Sequence, residues 1–194
     1  MSLGAEDIFA VLREIPDPEM PIDIVSLGLI ETVRVAPGVT PGASTIIVEA
    51  IPTFVGCPAL EMIRTDIVRR LSALEHVESV EVRWRNEPPW SVDRISEQGR
   101  EALRVHGVVV DTHACATRAQ QAGAPQRVEL RTSALPCPFC GSGRTRLDSI
   151  FGPTRCRSIY VCDACRNTFE SVRDAPGAAA LYDESAPDRR TPAT

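Results

Sequence analysis

The sequence predicts an α+β protein in which a small α-β-β-α-β domain is followed by a short β-ribbon. Apolar residues in the first half recur first at the spacing of helices and then at the spacing of strands. Two Cys-x-x-Cys motifs lie in the last third of the 194 residues. Residues 1–90 carry seven arginines and fourteen acidic residues, whereas residues 137–174 carry six and four. These three observations indicate two units of different character.

A short helix is predicted at the start of the first domain. Its apolar residues recur at positions i, i+3, i+4 and i+7 and therefore share one face: Ile8, Val11, Leu12 and Ile15. Pro16 follows and ends the helix. Two β-branched runs, 29–35 and 44–50, are separated by Pro-Gly pairs. They predict two strands joined in a hairpin.

A second helix is predicted after Pro58, because a proline is tolerated in the first helical turn, where its missing N–H would have no partner. This start places Cys57 at the predicted N-cap. The apolar residues of the helix share one face: Leu60, Ile63, Ile67, Val68 and Leu71. Alternation over 77–85 predicts a third strand. A last helix is predicted over 97–106, with Ser96 as its N-cap and a glycine at its end.

The chain is expected to divide into four segments, because two stretches are polar and rich in alanine or proline. These segments are an α/β domain with a C-terminal helix (1–110), a linker (111–135), a ribbon (136–173) and a disordered tail (174–194). The linker contains His113 and Cys115, two potential ligands one residue apart. That spacing alone does not define a site.

Composition excludes several classes of protein. All 21 basic residues are arginine, which excludes Schiff-base lysine chemistry and a phosphate-loop lysine. The net charge of −5 and the pI of 5.3 argue against nucleic acid as a partner. The sequence shows neither an apolar run long enough to cross a membrane nor an export signal, so we expect a cytoplasmic protein without a membrane partner. In that reducing compartment, seven cysteines favour metal or thiol chemistry over disulfides.

The two Cys-x-x-Cys motifs predict a zinc ribbon. Each motif brings two thiolates to one side of a turn, and two turns complete a tetrahedral S4 site: Cys137, Cys140, Cys162 and Cys165. Zinc is favoured over iron, although the ligand type alone does not separate the two metals. A closed S4 site has no open coordination position, which predicts a structural role. The aromatic residues of the ribbon are expected to pack around the site: Phe139, Phe151, Tyr160 and Phe169.

Two further cysteines are candidate functional thiols. Cys57 lies at the predicted start of a helix, where free N–H groups and the helix dipole are expected to lower its thiol pKa. A metal or sulfur carrier and a merely packed cysteine are both consistent with this position. Cys156 is flanked by Arg155 and Arg157, which are expected to favour its thiolate. A partly buried small residue in the central loop of the ribbon is the alternative for Cys156.

Carboxylates cluster in the proline-rich loop after the first helix. Asp17, Glu19 and Asp23 could ligate a hard cation or meet a partner, and a solvated acidic turn is the alternative interpretation. The sequence shows no acid–base pair, no cofactor loop and no complete nucleophile constellation. We therefore do not expect an enzyme.

Several of these residues belong to a recognisable family pattern. Four motifs within residues 5–86 resemble the SufT-like group of iron-sulfur assembly factors: Pro16-Asp-Pro-Glu19, Ser26-Leu-Gly-Leu-Ile30, Pro52-Thr53 and Gly56-Cys57-Pro58. Trp90, the segment 95–104 and the double-motif ribbon follow. With them, residues 5–173 resemble the PaaD family of the bacterial phenylacetyl-CoA oxygenase (epoxidase) system.

The resemblance implies an iron-sulfur-assembly-type domain followed by a zinc β-ribbon. It implies that Cys57 is the functional thiol or metal carrier, with Asp17, Glu19 and Thr53 nearby in the signature. The ribbon ligands it implies are again Cys137, Cys140, Cys162 and Cys165. Cys156 also falls on a family cysteine and is a further candidate ligand. Members usually have a tyrosine and a serine where this chain has Phe54 and Val55, so two hydroxyl groups near the thiol are lost.

The resemblance also implies a function in aerobic phenylacetate breakdown. The implied role is an accessory factor that helps to mature or insert the metal centre of a di-iron oxygenase. Structural zinc and a transient iron ion or iron-sulfur cluster are the implied cofactors, and oxygenase subunits or iron-sulfur carriers are the implied partners. The alternative is a non-catalytic scaffold subunit of the oxygenase complex in which Cys57 is only packed.

Overall fold

The computed structural model describes residues 3–54, 56–111 and 134–173. This part of the chain contains these elements in order: α1 (Ala5–Leu12), β1 (Ile30–Pro37), β2 (Ser44–Ala50), α2 (Leu60–Leu71), β3 (Val77–Trp84), a 3-10 turn (Val92–Arg94), α3 (Glu97–Val105), β4 (Val108–Val110), β5 (Thr145–Ser149), β6 (Arg157–Cys162) and β7 (Thr168–Val172). His113, Cys115, most of the predicted linker and the whole predicted tail lie outside the described residues. The α+β class is confirmed.

The first sheet has the strand order β1-β2-β3. β1 and β2 are antiparallel, which confirms the predicted hairpin. β2 and β3 are parallel, so α2 is the crossover that joins them. Both helices and the sheet share one apolar core, to which α1 contributes Ile8 and Leu12 and α2 contributes Ile63, Ile67 and Leu71. The predicted order α-β-β-α-β is confirmed.

The segment after β3 packs on the loop that precedes β1. The indole of Trp90 is 5% exposed, and its Nε1 donates a hydrogen bond to the carbonyl oxygen of Leu27 at 3.1 Å. Arg94 donates from Nε to the carbonyl oxygen of Gly28 at 2.8 Å. The 26–30 motif therefore holds the C-terminal extension of the domain through its backbone carbonyl groups. These contacts require no polar side chain from Leu27 or Gly28.

Gly28 is the tightest point of that contact. It has φ +77°, and a Cβ placed on it would lie 2.5 Å from the carbonyl oxygen of Arg94. We expect Gly28→Ala to lower the free energy of unfolding by about 2–3 kcal/mol in chemical denaturation. Gly42→Ala is the matched control, because Gly42 has φ +84° but no atom within 4 Å of such a Cβ. An equal decrease in the free energy of unfolding of the two variants would show that the close approach of Gly28 to Arg94 does not contribute to the effect.

The last helix leads directly into the second sheet. Ser96 caps α3 as predicted, since its Oγ accepts from the N–H of Gly99 at 3.0 Å, and Gly107 ends the helix with φ +77°. Val108–Val110 were predicted to belong to the first domain, but as β4 they pair in parallel with β7. The physical reason is that successive side chains of this valine run face two different apolar cores. Val108 and Val110 pack on the core of the first domain, whereas Val109 packs on the core of the ribbon.

The second sheet has the order β4-β7-β6-β5, and β5, β6 and β7 are antiparallel neighbours. Tyr160 and Phe169 are buried and stack with ring centroids 5.5 Å apart, as expected of packing aromatics. The same expectation is wrong for Phe139 and Phe151, which are 54% and 60% exposed. Both lie in loops outside the sheet, where the small core of the ribbon does not reach them.

Candidate metal and thiol site

The four cysteines of the two motifs meet at one end of the second sheet. The sulfurs of Cys137 and Cys165 are 3.7 Å apart, and those of Cys140 and Cys162 are 3.6 Å apart. All four sulfurs lie within 4.8 Å of one another. Four thiolates at about 2.3 Å from one tetrahedral ion would be about 3.8 Å apart. The donor set therefore fits a single metal ion of the zinc type.

Backbone turns explain how the cysteines converge. In each motif, the residue after the second cysteine donates its N–H to the carbonyl oxygen of the first cysteine: Gly141 to Cys137 at 2.8 Å, and Arg166 to Cys162 at 2.9 Å. Both donor residues are left-handed, with φ +71° and +67°. The two motifs are thus two copies of one turn. Such a turn needs an unusual backbone conformation immediately after each Cys-x-x-Cys.

Within the part of the chain that the structure describes, these four residues are the only group of three or more metal-ligating side chains gathered within 4.8 Å. Their coordination sphere is filled by protein sulfur, so an ion held there has no position left for a substrate. The cluster can stabilise the ribbon. Transfer chemistry requires a more open site.

Cys57 lies in a turn that precedes α2. Its N–H donates to the carbonyl oxygen of Phe54 at 3.2 Å, and its own carbonyl oxygen accepts from Leu60 at 3.3 Å. The prediction that Cys57 is the N-cap is wrong, because the helix begins at Leu60 and Ala59 is its N-cap. A separate i to i+3 turn over 57–60 comes between the thiol and the helix.

The Cys57 thiol lines a pocket of about 470 Å³ between the two parts of the protein. One wall comes from the first domain, and the other is four consecutive residues of the β5–β6 loop, 153–156. The walls contain Glu19, Thr53, Phe54, Gly56, Cys57 and Pro58 on one side and Pro153, Thr154, Arg155 and Cys156 on the other. The structure thus brings the two candidate thiols, almost 100 positions apart in the chain, to one cavity.

The β5–β6 loop is fixed by its own polar contacts. The hydroxyl of Thr154 is 3.2 Å from the sulfur of Cys156 and accepts from Nε of Arg157 at 3.0 Å. Arg157 also pairs with Glu170 at 2.6 Å. Across the pocket, the guanidinium of Arg155 lies over the ring of Phe54, 5.3 Å from its centroid. Phe54 is therefore one contact of the first domain with this loop, and the packing of Cys156 with the core residues of that domain is another.

The acidic loop supplies the remaining polar groups. Asp17 accepts from the N–H groups of Glu19 and Met20, both at 2.8 Å, and Asp23 accepts from those of Val25 and Ser26. These two carboxylates stabilise their own turns, so the hypothesis of a hard-cation site formed by all three is not supported by the geometry. Among the described residues, the Glu19 carboxylate accepts no hydrogen bond. It lines the pocket.

Burial raises the pKa of the Cys57 thiol to about 11, and the neighbouring Glu19, Cys156 and Asp17 add to this rise. A hydrogen bond from the backbone of Ala59 acts in the opposite direction but is outweighed. The prediction of a lowered thiol pKa is therefore wrong. The helix dipole expected to stabilise a thiolate is opposed by poor solvation and by negative neighbours.

The expectation that the flanking arginines favour the Cys156 thiolate is also wrong, whereas the alternative of a small residue packed in the loop agrees with the structure. This residue is 5% exposed, and burial raises its thiol pKa although the charge of Arg157 opposes the rise. Burial also raises the pKa of Asp17 and of Glu19, and the charge of Arg157 opposes both shifts. The pocket is therefore lined by two thiols with raised pKa values, the Glu19 carboxylate and the guanidinium of Arg155. Asp17 and Arg157 do not line it, but their charges act on its groups.

The pH dependence of the alkylation rate measures the pKa of the Cys57 thiol directly. With a pKa of about 11 instead of 9.0, the thiol should react with iodoacetamide about tenfold more slowly at neutral pH than an unperturbed cysteine, after allowing for the greater nucleophilicity of a more basic thiolate. The rate should rise about tenfold per pH unit without a plateau up to pH 10. Mass spectrometry of the Cys57 peptide gives this rate, and the same peptide in denaturant is the reference. A plateau near pH 9 in the folded protein would contradict the assignment.

Sequence reasoning named Arg155 and Arg157 only as neighbours of Cys156, and it did not place Thr154 or Arg155 beside Cys57. Their contacts depend on which loop faces Cys57, and local periodicity carries no information about that. The one signal that could have connected the two walls of the pocket is that Cys57 and Cys156 each match a cysteine of the family pattern. Thr53, predicted from the signature, does line the pocket.

Comparison with known proteins gives two domain matches. The profile described as iron-sulfur cluster assembly protein matches residues 5–84, and that of the PaaD zinc beta ribbon domain matches residues 121–173. Both halves of the resemblance seen in the sequence are thereby confirmed. The matches also agree with the α+β fold of the described residues.

Three individual proteins are similar to this chain. A protein of Escherichia coli (strain K12), provisionally described as the D component of 1,2-phenylacetyl-CoA epoxidase, is 32% identical over 166 residues, covering 84% of this chain and 89% of that protein. The Fe-S protein maturation auxiliary factor YitW of Bacillus subtilis (strain 168) is 33% identical over 101 residues, covering 52% of this chain and 93% of that relative. A solved domain of unknown function, DUF59, from Bacillus anthracis is 31% identical, covers 51% of this chain and 90% of that one, and has a TM-score of 0.46.

None of the helices in the described ranges is both long enough and apolar enough to cross a membrane.

Proposed function

The chain belongs to the PaaD family of the 1,2-phenylacetyl-CoA epoxidase system, and we propose that it is an accessory factor of aerobic phenylacetate breakdown that delivers iron to the oxygenase. Cys57 is the residue that receives the metal. The similarity of its first domain to Fe-S protein maturation factors supports this role. The ribbon holds a structural zinc ion.

One observation carries the proposal. The Cys57 thiol is neither sealed in the core nor free on the surface, but lines an open pocket together with a second thiol and the Glu19 carboxylate. A carrier needs a ligand that a metal can reach and leave. A packed structural cysteine needs no pocket and no neighbouring carboxylate.

The pKa values of the pocket indicate the kind of binding. Because the Cys57 thiol is protonated at neutral pH, a metal ion must displace its proton, and part of the metal–thiolate binding energy is spent on that displacement. Binding is weaker than at a cysteine that is already a thiolate. Weak binding suits a factor that must release its cargo to a partner.

The proposal is tested by producing the oxygenase in cells with and without this chain. We expect the oxygenase made without the chain to contain little iron and to have correspondingly low phenylacetyl-CoA turnover. Addition of iron salts to the purified oxygenase should restore part of that turnover, because the defect is in loading and not in folding. Equal iron content with and without the chain would refute the proposal.

A scaffold role in the oxygenase complex is the second candidate. The observation that favours it is the exposure of Phe139 and Phe151, two large aromatic side chains on the ribbon surface that are suited to docking. A scaffold would copurify with the oxygenase in fixed stoichiometry, and substitution of Cys57 would leave activity unchanged. A carrier would associate transiently and depend on Cys57.

A further inference from the structure

We propose that Cys57 and Cys156 are two thiol ligands of one metal-transfer site between the first domain and the ribbon, with the Glu19 carboxylate as a third ligand. This inference rests on the proposed function and extends it. It assigns to the ribbon a direct part in handling the metal, in addition to its structural zinc. The ligand class is a divalent first-row metal with affinity for thiolate, and Fe(II) is the physiological member that the proposed function requires.

The first argument is the placement of Cys156. This residue belongs to the β5–β6 loop of the ribbon, yet its side chain packs with the core residues of the first domain and lines the same pocket as Cys57. Cys156 is close enough for its charge to raise the pKa of the Cys57 thiol.

The second argument is the position of Glu19. Its carboxylate lies close enough to both thiols for its charge to act on each of them. Asp17 accepts two backbone hydrogen bonds, one of them from the N–H of Glu19, whereas the Glu19 carboxylate accepts none from the described residues. One oxygen ligand beside two sulfur ligands is a mixed set that suits borderline metals such as Fe(II), Co(II) and Zn(II).

The third argument is the contrast with the closed cluster in the ribbon. There, four sulfurs lie within 4.8 Å of one another, whereas the three ligand atoms proposed here are not gathered so tightly. Three protein ligands leave at least one coordination position open, as metal sites that exchange ligands require. A metal ion bound by all three groups would require their ligand atoms to lie closer together than they do in this structure.

The chemistry of the step needs no oxidant or reductant. The metal stays divalent and forms two bonds to sulfur, while each thiol loses its proton to solvent. On transfer, the two metal–sulfur bonds are replaced by bonds to ligands of the partner, and both thiols take up protons again. Arg157, which pairs with Glu170 at 2.6 Å, remains beside the emptied site to offset the charge of Asp17 and Glu19.

The test adds Co(II), without oxygen, to protein that already contains one equivalent of zinc. We expect the wild type to bind one Co(II) with thiolate-to-cobalt absorption in the near ultraviolet. Cys57→Ser and Cys156→Ser should each lose about half of that absorption and bind Co(II) at least about tenfold more weakly. Asp148→Asn, an exposed carboxylate on β5, is the control and should match the wild type. Zinc content and circular dichroism check that each variant is folded.

A footprint on the unchanged protein avoids any dependence on the folding of variants. Bound Co(II) should protect both the Cys57 and the Cys156 peptides of the wild type from alkylation. In a separate measurement, Glu19→Gln should weaken this protection. If Cys57 alone is protected and Cys156→Ser binds like the wild type, the two-thiol site is wrong and the proposed carrier function survives. If neither thiol is protected and neither substitution affects binding, both the site and the carrier function fail.

Discussion

Replacing Cys57 by serine should reduce the iron content and the activity of the oxygenase to the level found without this chain. A serine hydroxyl is not deprotonated at neutral pH and binds iron far more weakly than a thiolate does, so the carrier would lose its primary ligand. We expect a loss of at least about tenfold, the lower range for damage to a metal site. Iron analysis and phenylacetyl-CoA turnover of the purified oxygenase measure the effect.

Two controls make this result specific to the thiol. Glu61→Gln changes a largely exposed carboxylate in the first turn of α2, close to Cys57 in sequence but not in the pocket, and should leave oxygenase loading unchanged. The melting temperature of the Cys57 variant should stay close to that of the wild type, because a half-buried serine replaces a half-buried cysteine. Full oxygenase activity with the variant would exclude Cys57 as the carrier and favour the scaffold role.

The second large effect is expected from Cys162→Ala. Cys162 is fully buried at the end of β6 and supplies one of the four sulfurs of the ribbon cluster. Structural zinc in small modules contributes on the order of 10 kcal/mol to folding, and the small ribbon core cannot replace that amount. We expect loss of zinc and unfolding of the ribbon. The 153–156 wall of the pocket is then lost as well.

Native aromatic residues report separately on the folding of the two units in this experiment. Both tryptophans, Trp84 and Trp90, lie in the first domain, whereas Tyr160 lies in the ribbon core. Cys162→Ala should therefore lose the near-ultraviolet signal of Tyr160 and retain buried tryptophan fluorescence. Cys140→Ala is a parallel variant at an exposed ligand and should behave similarly. Retention of one zinc per chain and of the Tyr160 signal would show that the cluster is not what folds the ribbon.

Local patterns predicted the elements of the fold because each depends on a short stretch of sequence. The stripe of α2, the alternation of β3 and the capping of α3 by Ser96 are decided within about ten residues. The pairing of β4 with β7 joins residues some 60 positions apart, and the sequence signal at Val108–Val110 is equally consistent with either unit. The placement of Val108–Val110 between the two cores depends on contacts with residues distant in sequence, which the local pattern does not reveal.

The candidate site was predictable in its parts but not in its electrostatics. Spacing alone indicated the four ribbon cysteines. The local sequence around Cys57 and Cys156, and then the family resemblance, indicated these two thiols separately. The pKa of the Cys57 thiol was predicted to fall, and one of the two interpretations of Cys156 was an arginine-favoured thiolate, because neighbours in sequence were expected to dominate. Burial and the facing Glu19 outweigh the local contributions, and neither can be known before the two halves of the pocket are brought together.

Direct transfer of metal is the most decisive measurement. The zinc-containing chain is loaded with one equivalent of isotopically labelled Fe(II) without oxygen and is then mixed with metal-free oxygenase and an excess of a chelator that captures free Fe(II). Labelled iron should reach the oxygenase despite the chelator, and chain with serine at position 57 should deliver none. Iron that goes to the chelator from both forms of the chain, with the oxygenase left empty, would contradict direct transfer.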